Sequence, residues 1–336
     1  MELLEVAFYL PDEPLETLRW LDPDDDWREF VRGERAWILQ TYLRLRRAGH
    51  PVALVGELPG SGPIVYHRKH ERRVLESLLA TPSTQRTLIA VRGDRHTSRW
   101  ADVQIVQNAT QVRSASHFFA PHWPQPGLLP RQTERGATIR QVAFKGFVDN
   151  LDLALRSPDW SDFLARRGIA WQCDAVAFHD GVTGDDVHWN DYRETDLIVA
   201  LRADHDPAKN TKPATKLFNA WAAGAPALLG PEIAFRALRR SPFDYLEIND
   251  LTDAMVAVDR LVSQPDLYRA MVENGRRRAL EYRPEAITDF WADLLWRRLP
   301  SVLSQRPRGA FRAWEKALQF VGLELIQKRL ARPGSL

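Results

Sequence analysis

The 336-residue sequence is poor in sulfur-containing residues, with one cysteine, Cys173, and three methionines. A single cysteine excludes an internal disulfide framework and a cysteine-rich metal site. A reducing, cytoplasmic location suits such a chain best. We therefore expect a fold that is stabilised by its apolar core rather than by cross-links.

Long apolar runs and an excess of either charge are also missing. No stretch of about 18 apolar residues occurs, so we expect no membrane-spanning helix. The first residues lack the basic start of a secretory signal. The 46 Lys and Arg residues nearly balance the 44 Asp and Glu residues, so the overall charge does not indicate a nucleic-acid partner.

Several signature motifs are absent as well. No Gly-x-Gly-x-x-Gly follows the first predicted strand, and no Gly-x-x-x-x-Gly-Lys-Ser/Thr phosphate loop occurs. The Gly-x-Ser-x-Gly elbow of α/β-hydrolases is missing too. The histidines form no His-Glu-x-x-His pattern, and we expect His67 and His70 at the surface rather than on a metal. These absences argue against dinucleotide oxidoreductases, phosphate-loop NTPases and α/β-hydrolases.

Short apolar runs alternate with helical patterns along most of the chain. This alternation predicts an α/β fold with mainly parallel sheets. The predicted strands are 4–10, 50–55, 64–66, 86–92, 101–108, 138–144, 169–173, 196–201, 225–229 and 245–248. The acidic run 22–26 lacks calcium-loop spacing, so we expect a solvated loop and helix cap there.

A proline-rich stretch, 122–130, interrupts this alternation and is the best domain boundary. We predict a first domain over 1–122, a linker over 123–137 and a second domain over 138–300. A C-terminal amphipathic helix is predicted over 301–336. Its segment 306–332 can pack across the first domain, lie on an acidic membrane surface or form an oligomer contact.

The stretch 209–232 carries the most distinctive chemistry. A polar loop leads into a predicted helix, with Pro213 in its first turn and Gly224 at its end. Lys212 and Lys216 are one turn apart at the predicted N-terminus. Free N–H groups, the helix dipole and two lysines predict an anion site there, although a solvated, lysine-capped helix is the alternative.

Further polar residues follow the predicted strands of the second half, at the carboxyl edge where open α/β sheets bind ligands. Lys145 and Asn150 come after the strand 138–144, and Arg202 comes after 196–201. Arg202 can bind a ligand or pair with a nearby Asp. Glu232 can accept two ribose hydroxyl hydrogen bonds or cap the next helix.

These pieces together resemble the C-terminal domain of GT-B fold glycosyltransferases. The resemblance is carried by 142–146 with Asn150, by 196–202 and by 212–232, of which the helix–Ala-Gly-Ala-Pro–strand segment is the most specific. It implies two Rossmann-like domains facing across a cleft, with a nucleotide-sugar in the second domain. It also implies metal-independent transfer, with no cofactor and a nucleoside diphosphate as product.

The sequence departs from that family at two positions. Many retaining members carry two glutamates eight residues apart before this Gly-x-Pro, and here those positions hold Thr211 and Asn219. Asn219 can still hydrogen-bond a sugar or ribose hydroxyl. The usual glycine-rich loop after the first strand is replaced by 22–33. The stereochemical outcome, retaining or inverting, therefore stays open.

The acceptor is expected on the first domain. Asp94 and His96 follow the strand 86–92 and are candidates for a general base that deprotonates the acceptor hydroxyl. An Asp94–Arg99 ion pair and an exposed loop histidine are the structural alternatives. Gln107 and Asn108 are further candidates for the lining of the cleft.

The resemblance thus implies a glycosyltransferase, of hexosyltransferase class and similar to those of bacterial polysaccharide biosynthesis. It would act on a glycan or lipid-linked acceptor in the cytoplasm, with peripheral contact at the inner face of the membrane as an option, and it would not bind nucleic acid. Two alternatives stay open: a catalytically inactive GT-B-like binding or scaffold protein, and a sugar-nucleotide epimerase.

Overall fold

The computed structural model describes residues 4–81, 83, 85–177, 183–202 and 211–304. Within these residues the chain forms two parallel sheets, one in each half, with helices packed around them. This is the predicted architecture of two Rossmann-like domains. Every predicted strand is found, because each one is a short apolar run bounded by polar or turn residues.

The first sheet has six strands in the order β2-β1-β3-β4-β5-β6. All neighbouring strands pair in parallel. The sixth strand is only three residues long and was not predicted. The strands are β1 (Val6–Tyr9), β2 (Val52–Val55), β3 (Gly62–His67), β4 (Arg86–Val91), β5 (Val103–Val106) and β6 (His117–Phe119).

The second sheet has five strands in the order β11-β10-β9-β7-β8, again all parallel. The chain runs from β7 outward to β8 and then returns to β9 on the other side of β7. The strands are β7 (Gln141–Phe147), β8 (Ala170–Val176), β9 (Leu197–Ala200), β10 (Ala227–Leu229) and β11 (Leu246–Glu247).

The helices connect these strands and close the chain at its C-terminal side. A π-helical turn, Arg35–Leu39, leads into α2. The α-helices are α1 (Leu15–Leu18), α2 (Gln40–Arg47), α3 (Glu71–Ala80), α4 (Pro158–Ala165), α5 (Thr215–Ala223), α6 (Ile233–Leu238), α7 (Leu251–Ser263), α8 (Pro265–Ala279), α9 (Pro284–Asp293) and α10 (Leu299–Ser304).

The proline-rich stretch is packed into the protein rather than solvated. Trp123 is fully buried, and its indole N–H donates to the Thr41 hydroxyl at 3.0 Å. Farther along, Arg131 and Arg135 both bind the buried carboxylate of Asp196, at the start of β9. This segment therefore packs against both halves as well as connecting them.

Helix α9 and the residues after it cross back onto the first domain. Trp291 is fully buried, and its ring meets Trp37 edge to face at 6.5 Å between centroids. Trp296 donates its indole N–H to the Leu4 carbonyl at 2.8 Å and stacks on His50. The segment 306–332 lies outside the described residues, so its three alternatives stay open.

Acidic residues of the run 22–26 form ion pairs with arginines of the first domain. Asp22 pairs with Arg47, and Asp24 pairs with Arg44, both on α2. In the part of the chain that the structure describes, no group of three or more acidic, histidine or cysteine side chains is placed to hold a metal ion. No helix there is long and apolar enough to cross a membrane.

Candidate functional site

The candidate site lies at the carboxyl edge of the second sheet, where the strand order reverses. Strands β7 and β9 are neighbours there, while β8 lies on one side of them and β10 on the other. Open α/β sheets bind ligands in the crevice at such a switch point. Arg202 comes two residues after β9, at the predicted strand end. Lys145 was expected after its strand, but β7 continues to Phe147, so Lys145 lies within it, two residues before its end.

Arg202 is the centre of a polar cluster that joins three strand ends. Its Nε donates to Glu232 at 2.8 Å, and its terminal nitrogen donates to the Asn150 side-chain oxygen. The predicted alternative for Arg202 was an aspartate partner; the acidic partner is Glu232 instead. Arg202, Asn150 and Glu232 were predicted separately from their strand ends, and the fold brings them into direct contact.

Glu232 retains an unused acceptor. Its backbone is at the N-cap of α6, but its side chain does not cap that helix. The residue is 7% exposed, and among the described residues its second carboxylate oxygen is buried with no hydrogen-bond partner. A buried, unpaired carboxylate oxygen is costly, and it is an acceptor that a ligand hydroxyl can satisfy.

Lys216 points across the same edge. Its ammonium group donates to the Lys145 carbonyl oxygen at 2.5 Å and lies 4.4 Å above the Phe144 ring. A Cβ at Gly146 would come within 2.7 Å of this nitrogen, so the absent side chain makes room for it. Burial, and then the nearby Arg202 charge, lower the pKa of Lys216 to about 7, while Glu232 acts in the opposite direction.

Helix α5 begins later than the sequence indicated. Its first residue is Thr215, so Pro213 and Lys212 precede the helix, and the predicted helical spacing of Lys212 and Lys216 is wrong. Among the described residues the Thr215 hydroxyl is buried without a partner. The Leu217 and Phe218 N–H groups donate to the Ala214 carbonyl oxygen, and the N–H groups before them lack intrahelical acceptors. The start of α5 therefore keeps donors that an anion can bind.

Two other predicted binding residues make structural contacts. Lys145 forms an ion pair with Asp174 on β8 at 2.5 Å. Asn219, on α5, accepts the Gln125 N–H at 2.8 Å, which attaches the linker segment to the helix. Their predicted roles in ligand binding stay predictions.

The two candidate bases differ in their surroundings. Asp94, in the loop after β4, forms an ion pair with Lys212 of the second domain instead of the expected pair with Arg99. His96 is exposed on the same loop. Of the two, only Asp94 is held at the junction between the domains by contacts that the structure records.

Sequence reasoning missed the environment of His67. It was expected at the surface, but it is 7% exposed, at the end of β3. Its Nδ1 accepts the Lys69 N–H at 3.4 Å, and its Nε2 lies where a Cβ at Gly93 would approach to 2.9 Å. Burial lowers the pKa of His67 to about 4. The apolar run 64–66 ends directly before His67. This position at the end of a buried strand was the feature of the sequence that could have indicated its burial.

The two facing α/β domains and the switch-point site define the GT-B fold. Among solved structures, sucrose-phosphate synthase from Thermosynechococcus elongatus matches with a TM-score of 0.57 and 13% identity, over 89% of this chain and 99% of that one. Anabaena Alr3699/HepE in complex with UDP matches with a TM-score of 0.51 and 11% identity, over 87% and 99%. The same protein with UDP-glucose gives 0.52 at 11% identity and the same coverage.

A family model matches the second half of the sequence. Residues 137–292 match the family model described as "Glycosyl transferase-like", so the resemblance to GT-B glycosyltransferases is confirmed. No curated protein matches the sequence. At identities of 11–13% the solved structures bear on the fold alone.

Proposed function

We propose that this protein transfers a sugar from a nucleoside diphosphate sugar to an acceptor hydroxyl. The observation that carries the proposal is a set of polar groups at one sheet edge: the start of α5 with its unpaired Thr215 hydroxyl, the unpaired oxygen of Glu232, and the Lys216 ammonium, which is held there by the Lys145 carbonyl oxygen. A family match to glycosyl transferase-like proteins over the same half supports it.

The arrangement suits a diphosphate leaving group. Negative charge develops on that group as the bond between the sugar and the phosphate oxygen breaks. Hydrogen-bond donors that are already oriented toward this oxygen stabilise the charge without having to rearrange. The α5 N-terminus supplies N–H donors and a favourable dipole. Lys216, whose ammonium lies between β7 and α5, adds a cation without needing a metal.

The nucleoside part of the donor fits beside the diphosphate. Glu232 already has one oxygen fixed by Arg202 at 2.8 Å, which orients the carboxylate and leaves the other oxygen free for ribose hydroxyls. UDP is the first probe to use, because Alr3699/HepE was solved with UDP and with UDP-glucose. Hexosyl transfer to a glycan or lipid-linked acceptor, and independence of metals and cofactors, complete the proposal.

On the acceptor side, Asp94 is the better candidate for a general base. Its carboxylate is at the junction of the two domains, next to the segment that leads into α5. His96 is exposed on the same loop and serves as the second candidate. Transfer that inverts the anomeric centre would need such a base.

The test is a thermal-shift screen of nucleoside diphosphates, followed by assays of donor turnover with and without candidate acceptors. A ligand that binds only the native state raises the melting temperature by mass action, so at least one nucleoside diphosphate should do so. Acceptor-dependent release of that diphosphate from its sugar would support the proposal. A screen in which none stabilises the protein would overturn it.

The alternatives give different results in the same assays. An isomerised sugar formed without an acceptor would identify an epimerase. Binding without turnover against any acceptor would identify a binding or scaffold protein. Either outcome would replace the transferase proposal.

A further inference from the structure

One set of contacts joins the two domains directly in front of helix α5. The Lys212 ammonium pairs with the Asp94 carboxylate. The Gln107 side-chain nitrogen donates both to that carboxylate, at 2.5 Å, and to the Thr211 carbonyl oxygen, at 2.9 Å. The Thr211 hydroxyl donates to the Asp94 carbonyl oxygen at 3.3 Å. We refer to Asp94, Gln107, Thr211 and Lys212 as the interdomain clasp.

The clasp has one fixed member and one exchangeable ion pair. Gln107 is 6% exposed, and its amide nitrogen uses its hydrogens on the two domains at once. The side chains of Lys212 and Asp94 are 35% and 46% exposed. An ion pair with that exposure contributes little net stability, because water screens it. A more strongly charged partner can therefore take Lys212 from Asp94.

The position of Lys212 indicates that the competing partner is a diphosphate. Lys212 precedes the first residue of α5, Thr215, by three residues, so it adjoins the proposed diphosphate site. A diphosphate carries more negative charge than one carboxylate, and it would lie against the N–H groups of the same helix end. Asp94 thus pairs with the cation that the donor needs.

We propose that the interdomain clasp responds to the donor: a nucleoside diphosphate at the start of α5 takes Lys212 from Asp94, and Gln107 keeps the released Asp94 carboxylate beside Thr211. This inference rests on the proposed function and extends it. The acceptor-side carboxylate is neutralised by Lys212 until the donor is bound. The clasp also places the Asp94 carboxylate of the first domain beside residue 211. Many retaining members of the family that this chain resembles carry a glutamate at that position.

The inference is tested by the affinity for UDP, measured by calorimetry on the full chain. Removing the competing charge with Asp94→Asn should tighten UDP binding by about two- to fivefold, the range that an exposed ion pair supplies. Lys212→Ala should weaken UDP binding. In the double variant, Asp94→Asn should bring no gain, because the cation for which Asp94 competes is gone.

A second interdomain ion pair provides a matched control. Arg28 of the first domain pairs with Asp185 of the second at 2.9 Å, and neither residue belongs to the clasp. If the gain came from loosening the domains in general, Asp185→Asn would give it too; we expect it to leave the UDP affinity unchanged. Thermal unfolding followed by circular dichroism checks that every variant is folded.

Three results would overturn the exchange of Lys212. These are unchanged or weaker UDP binding by Asp94→Asn, the same gain in the Lys212→Ala background, and an equal gain with Asp185→Asn. Each of them leaves the proposed function standing as long as the wild type binds UDP. A wild type that binds no nucleoside diphosphate would remove the proposed function and this inference together.

Discussion

The ammonium group of Lys216 donates a 2.5 Å hydrogen bond to the carbonyl oxygen of Lys145, which places a lysine of α5 over the end of β7. Mainly because of burial, the pKa of Lys216 falls from 10.5 to about 7. The unfolded chain therefore holds this proton between about pH 7 and 10.5, whereas the native protein has released it. The contribution of Lys216 to the free energy of unfolding accordingly rises with pH across that window.

Binding of UDP should have the opposite pH dependence. A diphosphate favours the charged lysine, so binding above pH 7 should take up a proton, and the affinity for UDP should fall as pH rises through 7. Calorimetry in buffers of different ionisation enthalpy measures the proton uptake. Lys216→Met should abolish it and weaken UDP binding. The exposed Lys69, which pairs with Glu34, provides the control variant Lys69→Met, and proton uptake that survives in Lys216→Met would refute this assignment.

Glu232 should distinguish the nucleoside from the diphosphate. If its unpaired oxygen accepts ribose hydroxyls, Glu232→Gln should weaken UDP binding about tenfold, or about 1.4 kcal/mol. The affinity for inorganic pyrophosphate should stay the same or rise, because a negative charge has been removed. Calorimetry with both ligands measures the difference. An equal loss for both would show that Glu232 acts only by orienting Arg202.

Asp196 should be essential for stability. Its fully buried carboxylate accepts hydrogen bonds from Arg131, Arg135 and the backbone N–H groups of Arg140 and Gln141. Because Asp196→Asn leaves the buried Arg131 without its counter-charge, we expect a loss of about 3–5 kcal/mol in the free energy of unfolding. Urea denaturation measures it.

The pH dependence of Asp196 follows from the same contacts. Burial alone would raise its pKa, but the hydrogen bonds from Arg135, the Arg140 N–H and Arg131 outweigh burial and hold the pKa below 3.8. The stabilisation is therefore present above pH 3.8 and is lost as the pH falls through the lower native value. As a control, Asp259→Asn removes an exposed ion pair with Arg167 and should cost less than about 1 kcal/mol. Equal losses for the two variants would contradict the prediction.

Trp291 should couple the C-terminal helices to the first domain. Its buried ring packs against Trp37, so Trp291→Ala should lower the free energy of unfolding by about 3–5 kcal/mol, the usual cost of a large buried aromatic side chain. Thermal and urea unfolding measure the change. Trp20 is 73% exposed, and Trp20→Ala should have little effect. A Trp291→Ala protein as stable as wild type would show that α9 contributes nothing to this packing.

The sequence by itself determined the layers of the fold. Continuous apolar runs such as Leu197–Ala200 could be identified as buried strands because burial on both faces requires an uninterrupted apolar stretch. Gly224 was identified as the end of α5 and does adopt a left-handed conformation, with φ of +69°. The residues at the strand ends were found because parallel strands bring their carboxyl ends to one edge.

Only the tertiary structure decided the partners of those residues. Lys212 and Asp94 are 118 residues apart, and neither residue's neighbours in sequence indicate the other. The start of α5 was misplaced because Pro213 suits a first turn locally, whereas the contacts of Lys212 and Thr211 with the first domain hold that segment outside the helix. Ion-pair partners and helix ends depend on long-range packing, so local sequence patterns do not specify them.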